Sequence, residues 1–139
     1  MSAQDRPDQF GSTTLTPKSD GAPSPDRLRR YRRGHSAEMV AALMLRAKGY
    51  RIIARRSKSR LGEIDIIAVR GSRVTFVEVK ARQSFEDCEI AITPALRSRV
   101  RRAAELWLAR NARYQQHEQG YDVVFVVPWR WPRHIANGL

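Results

Sequence analysis

Two apolar runs that meet at a two-residue turn are the feature that most constrains how this chain folds. They span residues 62–80, with the sequence GEIDIIAVRGSRVTFVEVK, and they meet at Gly71 and Ser72. A two-residue loop with glycine in first place is typical of a type II′ β-hairpin. If this loop closes the hairpin directly, Arg70 lies opposite Arg73 and the register of both strands is set. One face is then almost wholly apolar, and the other is apolar except at its charged end. Both faces are therefore predicted to be buried.

The open end of the predicted hairpin brings carboxylates together. In this register Asp65 lies opposite Glu78, and Glu63 lies opposite Lys80. Opposed side chains of like charge destabilise a hairpin, because their Cβ atoms are only about 4.5–5.5 Å apart. A divalent cation would compensate for this repulsion, since Mg²⁺ binds carboxylate oxygens. In the structural alternative Glu63 pairs with Lys80, Asp65 pairs with an arginine, and the acidic end is an ion-paired rim.

The charge balance indicates a nucleic-acid partner. The 139 residues include 26 lysines and arginines against 14 aspartates and glutamates, which gives a net charge of +12. Most of the basic residues are arginines, which bind phosphate through two parallel hydrogen bonds. A basic membrane-surface protein is the alternative, but no strongly amphipathic basic helix with exposed bulky apolar residues is evident.

Cysteine usage and hydropathy exclude several classes of protein. Cys88 is the only cysteine, so an internal disulfide framework and a cysteine-rich zinc site are excluded. The N-terminus lacks the apolar segment of a secretory signal, and no apolar run approaches the roughly 20 residues of a membrane span. We therefore expect a cytoplasmic protein without a membrane partner.

A change in composition divides the chain near residue 26. Residues 1–26 are rich in small polar residues and proline, cannot offset their own ordering entropy, and are predicted to be a disordered tail. Residues 27–139 are predicted to form one domain, on which the positive charge is concentrated because the tail is acidic. The domain opens with five arginines in the seven residues 27–33, which form either a solvated segment or a phosphate-binding arm.

Periodicity and capping residues predict an α/β domain in which helices flank a mixed sheet. The expected order is helix, strand, the two hairpin strands, helix and strand. Outside the hairpin, the expected limits are Ser36–Lys48, Tyr50–Arg56, Pro94–Asn111 and Tyr121–Val127. Residues 81–92, between the hairpin and the second helix, are predicted to be a loop that lies over the site.

Three further side chains bear on the site or on a partner. Glu38 has apolar neighbours one turn away on the first helix, which indicates that it points inward. Trp129 and Trp131 are expected to pack at the edge of the core, with stacking on nucleobases as the alternative.

Asp65, Glu78 and Lys80 can be assigned the chemistry of phosphodiester hydrolysis. Asp65 and Glu78 offer the hard oxygen ligands that Mg²⁺ prefers, and an ion held there would polarise a phosphorus centre and acidify water. Lys80 lies two residues beyond Glu78 on the same face, where it would orient that water or neutralise the phosphate. Glu38 would supply a further ligand if the first helix packs at this end of the hairpin.

These residues carry a family resemblance. Glu38 in a leading helix, the segments GEID at 62–65 and FVEVK at 76–80, and the arginine-rich helix with Ala103 and Ala104 resemble the YraN-type uncharacterised protein family (uncharacterised protein family 0102). The resemblance covers roughly residues 33–127. That family is similar to nucleases of the PD-(D/E)xK superfamily, whose restriction-endonuclease-like core has the order αβββαβ.

The resemblance implies roles for the site residues. Asp65 and Glu78 are implied as metal ligands, Lys80 as the catalytic lysine, and Glu38 as the accessory acid that also reaches the metal. One departure concerns Leu96, which stands near the start of the second long helix where the family often has a lysine. A basic phosphate contact from that position is therefore not expected.

We therefore predict a single restriction-endonuclease-like domain that acts as a Mg²⁺-dependent nuclease, with Mn²⁺ able to substitute. The expected substrate is DNA, including branched recombination and repair intermediates, and the alternative is a non-catalytic nucleic-acid-binding module that retains the nuclease fold. The residues expected to contact nucleic acid are basic and flank the site: Arg29, Arg30, Arg32, Arg33, Arg55, Arg56, Lys58, Arg60, Arg97 and Arg99. The choice between DNA and RNA, between endonuclease and exonuclease action, and between monomer and homodimer stays open.

Overall fold

A five-stranded mixed sheet with helices on both faces forms the fold. The structure is a computed structural model that describes residues 22–139. Its helices and strands are α1 (Pro25–Ala47), β1 (Arg51–Ser59), β2 (Gly62–Arg70), β3 (Arg73–Ala81), α2 (Phe85–Ile90), α3 (Pro94–Arg110), β4 (Glu118–Val126) and β5 (Arg133–Ile135). The strands lie in the order β1-β2-β3-β4-β5; β3 and β4 are parallel, and every other neighbouring pair is antiparallel. This arrangement confirms the predicted α/β class and is consistent with a restriction-endonuclease-like core.

The hairpin of β2 and β3 has the predicted register near its turn. Gly71 adopts a φ of +59°, which the first position of a type II′ turn requires. Arg70 lies opposite Arg73, and the pairing continues in the same register to Ile66 and Val77. The turn chemistry and the apolar pattern therefore predicted correctly which residues of the two strands face each other.

Beyond these pairs the two hairpin strands separate. The expected pairs Asp65–Glu78 and Glu63–Lys80 are absent from the ladder within residues 22–139. The Asp65 carboxylate instead accepts a hydrogen bond from the backbone N–H of Val79, at 2.8 Å. The Asp65 side chain therefore replaces a backbone carbonyl as the acceptor for the Val79 N–H. The ladder between β2 and β3 ends where the acidic residues begin.

The core has two layers, one on each face of the sheet. Side chains that alternate along the hairpin divide between them, so that Ile67 and Phe76 pack with α3 while Ile66 and Val77 pack with α1. The prediction that both faces of the hairpin are buried is thus confirmed. Strict alternation is broken at Ile64, which joins the α3 layer together with Ile67.

A distortion of β1 accompanies this break. Arg56 has a φ of +51°, a left-handed conformation that is uncommon for any residue other than glycine. The register between β1 and β2 places Arg56 across from Asp65. The backbone of β1 is therefore strained at the residue that lies across from Asp65.

The first helix begins earlier than predicted. It starts at Pro25 rather than after Ser36, so the arginine run 27–33 is helical rather than an irregular arm. Ser24 caps this N-terminus by accepting a hydrogen bond from the backbone N–H of Arg27, at 3.3 Å. A serine cap followed by proline in the first turn is a stronger start signal than a lone serine, and it decides where the helix begins.

Other limits differ for similar local reasons. The expected loop 81–92 contains α2, whose N-terminus is capped by the Ser84 side chain. β1 continues to Ser59 instead of ending at Arg56, and β5 was not predicted. Of the predicted tail, residues 1–21 lie outside the described residues. Within the described range no helix combines the length and the apolar character that crossing a membrane requires.

A buried ionic network holds β5 against β4. Asp122 on β4 is completely buried, with its Oδ2 2.8 Å from His134 Nε2 and its Oδ1 3.1 Å from a terminal guanidinium nitrogen of Arg73. The backbone N–H of Asn137 donates a further hydrogen bond to Asp122, at 2.9 Å. β5 and the residues that follow it are therefore anchored to the centre of the sheet.

Candidate active site

Three carboxylates converge where the hairpin strands separate. One carboxylate oxygen from each of Glu38, Glu63 and Asp65 lies within 4.8 Å of the other two. Glu38 comes from α1, whereas Glu63 and Asp65 are alternate residues of β2. Glu63 is the most exposed of the three, so the cluster opens to solvent on the side of Glu63.

Asp65 lies in an environment that disfavours its charge. Burial raises the pKa of Asp65 to about 7, and the charges of Glu78 and Glu38 act in the same direction. The hydrogen bond from the Val79 N–H and the charge of Lys80 lower this pKa without cancelling the rise. The fold thus surrounds Asp65 with more negative charge than its own cations neutralise, and a carboxyl group perturbed in this way is typical of a functional site.

Arg56 neutralises Glu38 from the neighbouring strand. Its Nε donates a hydrogen bond to Glu38 Oε2 at 2.6 Å, and Glu38 is only 9% exposed. This hydrogen bond raises the pKa of Arg56. A left-handed backbone is strained at a residue other than glycine, so the surrounding structure must hold Arg56 in this conformation. In this conformation its guanidinium contacts Glu38. Arg56 was expected to contact nucleic acid, and the structure places it inside the acidic site.

Glu78 and Lys80 form an ion pair on β3. Lys80 Nζ lies 3.1 Å from Glu78 Oε1, and Glu78 is 5% exposed. The two residues point to the same face of the sheet, as the predicted alternation requires. Glu78 bears on Asp65 through its charge but is not one of the three carboxylates that lie within 4.8 Å of one another.

The structure therefore brings together a different set from the one expected. Of the expected metal ligands Glu38, Asp65 and Glu78, it gathers the first two and adds Glu63. Glu63 was assigned to Lys80 in the structural alternative, but it lies across from Lys58 of β1, and Lys80 pairs with Glu78. The signal that could have found it is alternation itself, since residues two apart in a strand share a face.

The other basic residues expected to contact nucleic acid lie at the surface. Each of them has an exposed side chain, from which a phosphate can be reached: Arg29, Arg30, Arg32, Arg33, Arg55, Lys58, Arg60, Arg97 and Arg99.

Arg99 reaches from α3 to the start of β2. A Cβ added at Gly62 would lie 2.9 Å from the Cγ of Arg99, so glycine is what permits this close approach. Arg99 lines a pocket of about 520 Å³ together with Lys80 and Arg102. Leu96 is buried in the same wall and supplies no charge there. Arg99, one turn later on α3, brings a cation next to Lys80.

The two tryptophans near the C-terminus do not pack on the core. Trp129 is fully exposed and Trp131 is 91% exposed. The expectation that they lie at the edge of the core was therefore wrong. Both tryptophans lie in the segment that joins β4 to β5, two strands that pair in antiparallel fashion.

Comparison with known proteins places this fold and this cluster in a family. The family model of uncharacterised protein family UPF0102 matches residues 37–126, which is well over half of the chain. The chain belongs to the UPF0102 family. This finding confirms the resemblance that the sequence motifs carry.

The chain also aligns with most of the length of individual curated UPF0102 proteins. The UPF0102 protein R00337 of Rhizobium meliloti (strain 1021) is 52% identical over 117 residues, which is 84% of this chain and 96% of that protein. The UPF0102 protein of Sinorhizobium medicae (strain WSM419) is 50% identical over 113 residues, or 81% and 93% of the two chains. A UPF0102 protein of Brucella canis (strain ATCC 23365 / NCTC 10854 / RM-666) is 52% identical over 103 residues, or 74% and 82%.

The UPF0102 match separates the acidic site from two exposed features. It includes Glu38, Glu63 and Asp65 as well as the ion pair of Glu78 and Lys80. The arginine run of α1 and the two exposed tryptophans lie outside the matched residues. The acidic cluster is thus part of the matched family domain.

Proposed function

We propose that this UPF0102 protein is a metal-dependent nuclease that hydrolyses phosphodiester bonds in DNA, including branched recombination and repair intermediates. The observation that carries the proposal is the cluster of Glu38, Glu63 and Asp65, within 4.8 Å of one another, on a chain whose net charge is +12. Carboxylates crowded together on an otherwise basic protein suit a cation that is shared with a phosphate, because the basic surround attracts the nucleic acid.

The donor set fits a hard divalent cation. Mg²⁺ takes one or two protein carboxylates and completes its coordination with water and phosphate oxygens, and oxygen ligands also suit Mn²⁺. The raised pKa of Asp65 supports the fit, because burial and two neighbouring carboxylates disfavour its ionised form, and a cation at this position would stabilise that form. When bound, such a cation supplies Lewis-acid chemistry by neutralising phosphate oxygens and lowering the pKa of a water molecule. Asp65 would be its central ligand, with Glu38 and Glu63 beside it.

The ion pairs of the site suggest how its own residues respond to a nucleic acid. Lys80 contacts Glu78 at 3.1 Å and also lines the pocket that contains Arg99. When a phosphate enters this pocket, Lys80 turns from Glu78 to the phosphate, which leaves Glu78 available as a further ligand. Arg56 makes the same exchange from Glu38, because a guanidinium binds phosphate as well as carboxylate.

The two ion pairs also favour the alternative, a nucleic-acid-binding module that does not cleave. Arg56 and Lys80 already neutralise Glu38 and Glu78, and such pairs can be purely structural. Both functions share the basic surface and the fold. They differ in whether a divalent cation adds strand scission to binding.

A cleavage assay separates the two functions. Wild-type protein is incubated with single-stranded, duplex, flapped and four-way DNA in Mg²⁺ or Mn²⁺, and Asp65→Asn is compared with Glu105→Gln, an exposed acid of α3 that serves as the charge-matched control. We expect metal-dependent scission of at least one substrate by the wild type and the control. Asp65→Asn should nearly abolish it while binding DNA equally or more tightly. If the wild type binds DNA but cleaves none of the panel, the nuclease assignment is wrong and the binding module replaces it.

A further inference from the structure

Two fully exposed tryptophans flank an arginine in the segment between β4 and β5. Trp129 is fully exposed and Trp131 is 91% exposed, with Arg130 between them. Indole rings bury a large apolar surface when they find a partner, and they are rarely left in water. Within residues 22–139 neither ring stacks on another aromatic side chain. The described part of the chain therefore offers two aromatic faces that it does not itself cover.

The backbone of the segment that carries these rings is restrained. Pro128 and Pro132 bracket it and fix their own backbone φ angles. The backbone N–H of Arg130 donates to the carbonyl of Val127 at 3.2 Å, which closes a turn, and Trp129 lies within it at a φ of +63°. A restrained backbone loses little conformational entropy on binding, so the turn suits recognition. We call residues 128–132 the tryptophan turn.

The tryptophan turn lies at the end of the sheet that carries the candidate active site. β4 runs parallel to β3, with Phe125 opposite Lys80 and Val126 opposite Ala81. Trp129 is four residues beyond Phe125 and so lies at most about 13 Å further along the chain. An extended ligand that touches Lys80 therefore needs only a short length to reach the first ring.

A groove lies beside the turn on the α1 face of the sheet. Its volume is about 830 Å³, and it is bounded by Pro128, by Ala81 and by three arginines, Arg32, Arg33 and Arg82. Its floor is partly apolar, which suits flat rings rather than a compact ion. Ala81 follows Lys80 in β3, and Ala91 lines both the groove and the pocket of Lys80, so the two cavities adjoin.

We propose that the tryptophan turn is a stacking platform for unpaired nucleobases, and that the arginines of the adjacent groove contact the phosphates between them. Aromatic rings with interleaved arginines are the chemistry that binds single strands without sequence preference, because every base has a stacking face. The ligand class is therefore a nucleic acid with a single-stranded segment next to the bond or junction held at Lys80. This inference rests on the nucleic-acid part of the proposed function, but it does not require that the protein cleaves.

Binding measurements with matched ligands test the platform. Fluorescence anisotropy gives Kd for a labelled single-stranded oligonucleotide and for a blunt duplex of the same length, at one salt concentration. The variants are the double substitutions Trp129→Ala with Trp131→Ala, and Trp129→Phe with Trp131→Phe. Stacking of one base on an aromatic side chain contributes about 5- to 150-fold in affinity. We expect the alanine variant to lose at least about 10-fold for the single strand and less than about 2-fold for the duplex, and the phenylalanine variant to retain most of the affinity.

Each outcome decides between explanations. An unchanged melting temperature of the alanine variant is expected because both rings are exposed, and it shows that the loss is not due to misfolding. Equal losses for single strand and duplex, or no loss for either, would overturn the stacking platform alone. Wild-type protein that binds neither ligand would overturn the nucleic-acid part of the proposed function as well. If sedimentation shows a wild-type dimer that dissociates in the alanine variant while single-strand affinity is unchanged, the rings contact a second copy of the chain and not bases.

Discussion

Asp65 has a pKa that gives the folded protein a measurable pH dependence. Its value of about 7 in the folded chain lies above the ordinary aspartate value of about 3.9. The folded state therefore binds the Asp65 proton more tightly than the unfolded state does. Because a raised carboxyl pKa favours folding only while the group is protonated, this contribution is present at low pH and falls by up to about 1.4 kcal/mol per pH unit between about pH 4 and pH 7.

Substitution of Asp65 by asparagine should remove this loss of stability. The asparagine oxygen can still accept the hydrogen bond from Val79, so the change removes the charge and little else. In the presence of a chelator, we expect Asp65→Asn to melt at a higher temperature than wild type at pH 8, with a smaller difference at pH 5. Thermal denaturation at the two pH values measures this, with Glu105→Gln as the control. The same difference at both pH values would mean that Asp65 is not held as an unfavourable charge.

Lys80 is expected to act on phosphate and not on the metal. Lys80→Ala should lower the rate of DNA cleavage by about 10²- to 10³-fold, the effect of removing one donor that stabilises developing charge. The affinity for Mn²⁺ should be unchanged or slightly higher, because an ammonium group is not a ligand and its loss frees Glu78. Single-turnover rates and calorimetric titration with Mn²⁺ check the two statements. A large loss of Mn²⁺ affinity with an unchanged rate would place Lys80 in a structural role.

At the residue scale, the sequence could predict which side chains carry the chemistry but not how they group. Alternation and charge were enough to single out Asp65, Glu78 and Lys80. The separation of the strands depends on a hydrogen bond from the Val79 amide to the Asp65 side chain, and no local pattern reveals such a bond. For that reason the strand ladder ends before Asp65 and Glu78, and the grouping of Glu63 with Glu38 and Asp65 was not predicted.

Helix α1 connects the acidic site to the basic surface. Glu38 lies on its buried side, while the arginines one to three turns earlier are exposed. A straight helix rises about 1.5 Å per residue, so the arginine run extends about 15 Å from the carboxylates. The helix can therefore hold a phosphate backbone near the site through Arg29, Arg30, Arg32 and Arg33.

Removing these arginines should change the salt dependence of binding. The logarithm of the DNA association constant should fall linearly with the logarithm of salt concentration, and the slope should become shallower by about 0.9 for each duplex phosphate that the protein no longer neutralises. We expect the fourfold alanine variant at 29, 30, 32 and 33 to give a smaller slope than wild type. A double alanine variant at Arg110 and Arg113, at the C-terminal end of α3 and just beyond it, should keep the wild-type slope. An unchanged slope in the fourfold variant would show that the run is a solvated helix face.

At the element scale, helix limits were predicted correctly where the capping residues and the adjacent proline or glycine were considered together. Thr93 and Pro94 start α3, and Gly49 follows the end of α1 with a φ of +89°, as expected. The same pair of signals, Ser24 and Pro25, starts α1 inside the predicted tail. Composition alone places those residues in the tail, because it does not take account of the order of residues that makes a helix cap.

At the scale of the whole molecule, the fold combines a small negative site with a large positive surface. The hairpin register fixes the centre of the sheet, and the two core layers fix α1 and α3 on opposite faces of it. The acidic cluster, the pocket of Lys80 and the tryptophan turn then lie toward one end of the sheet, because β3 and β4 are parallel. The proposed functions depend on this shared end, since one nucleic acid must reach all three.

The central claim is that the carboxylates of this site hold a divalent cation, and anomalous diffraction from a crystal soaked in Mn²⁺ tests it most directly. We expect one strong anomalous peak roughly 2–2.5 Å from an Asp65 carboxylate oxygen, with Glu38 or Glu63 as a second protein ligand and Arg56 displaced from Glu38. The peak should be absent from crystals of Asp65→Asn soaked in the same way. Wild-type crystals with no peak at Asp65, and with Arg56 still bonded to Glu38, would contradict the account.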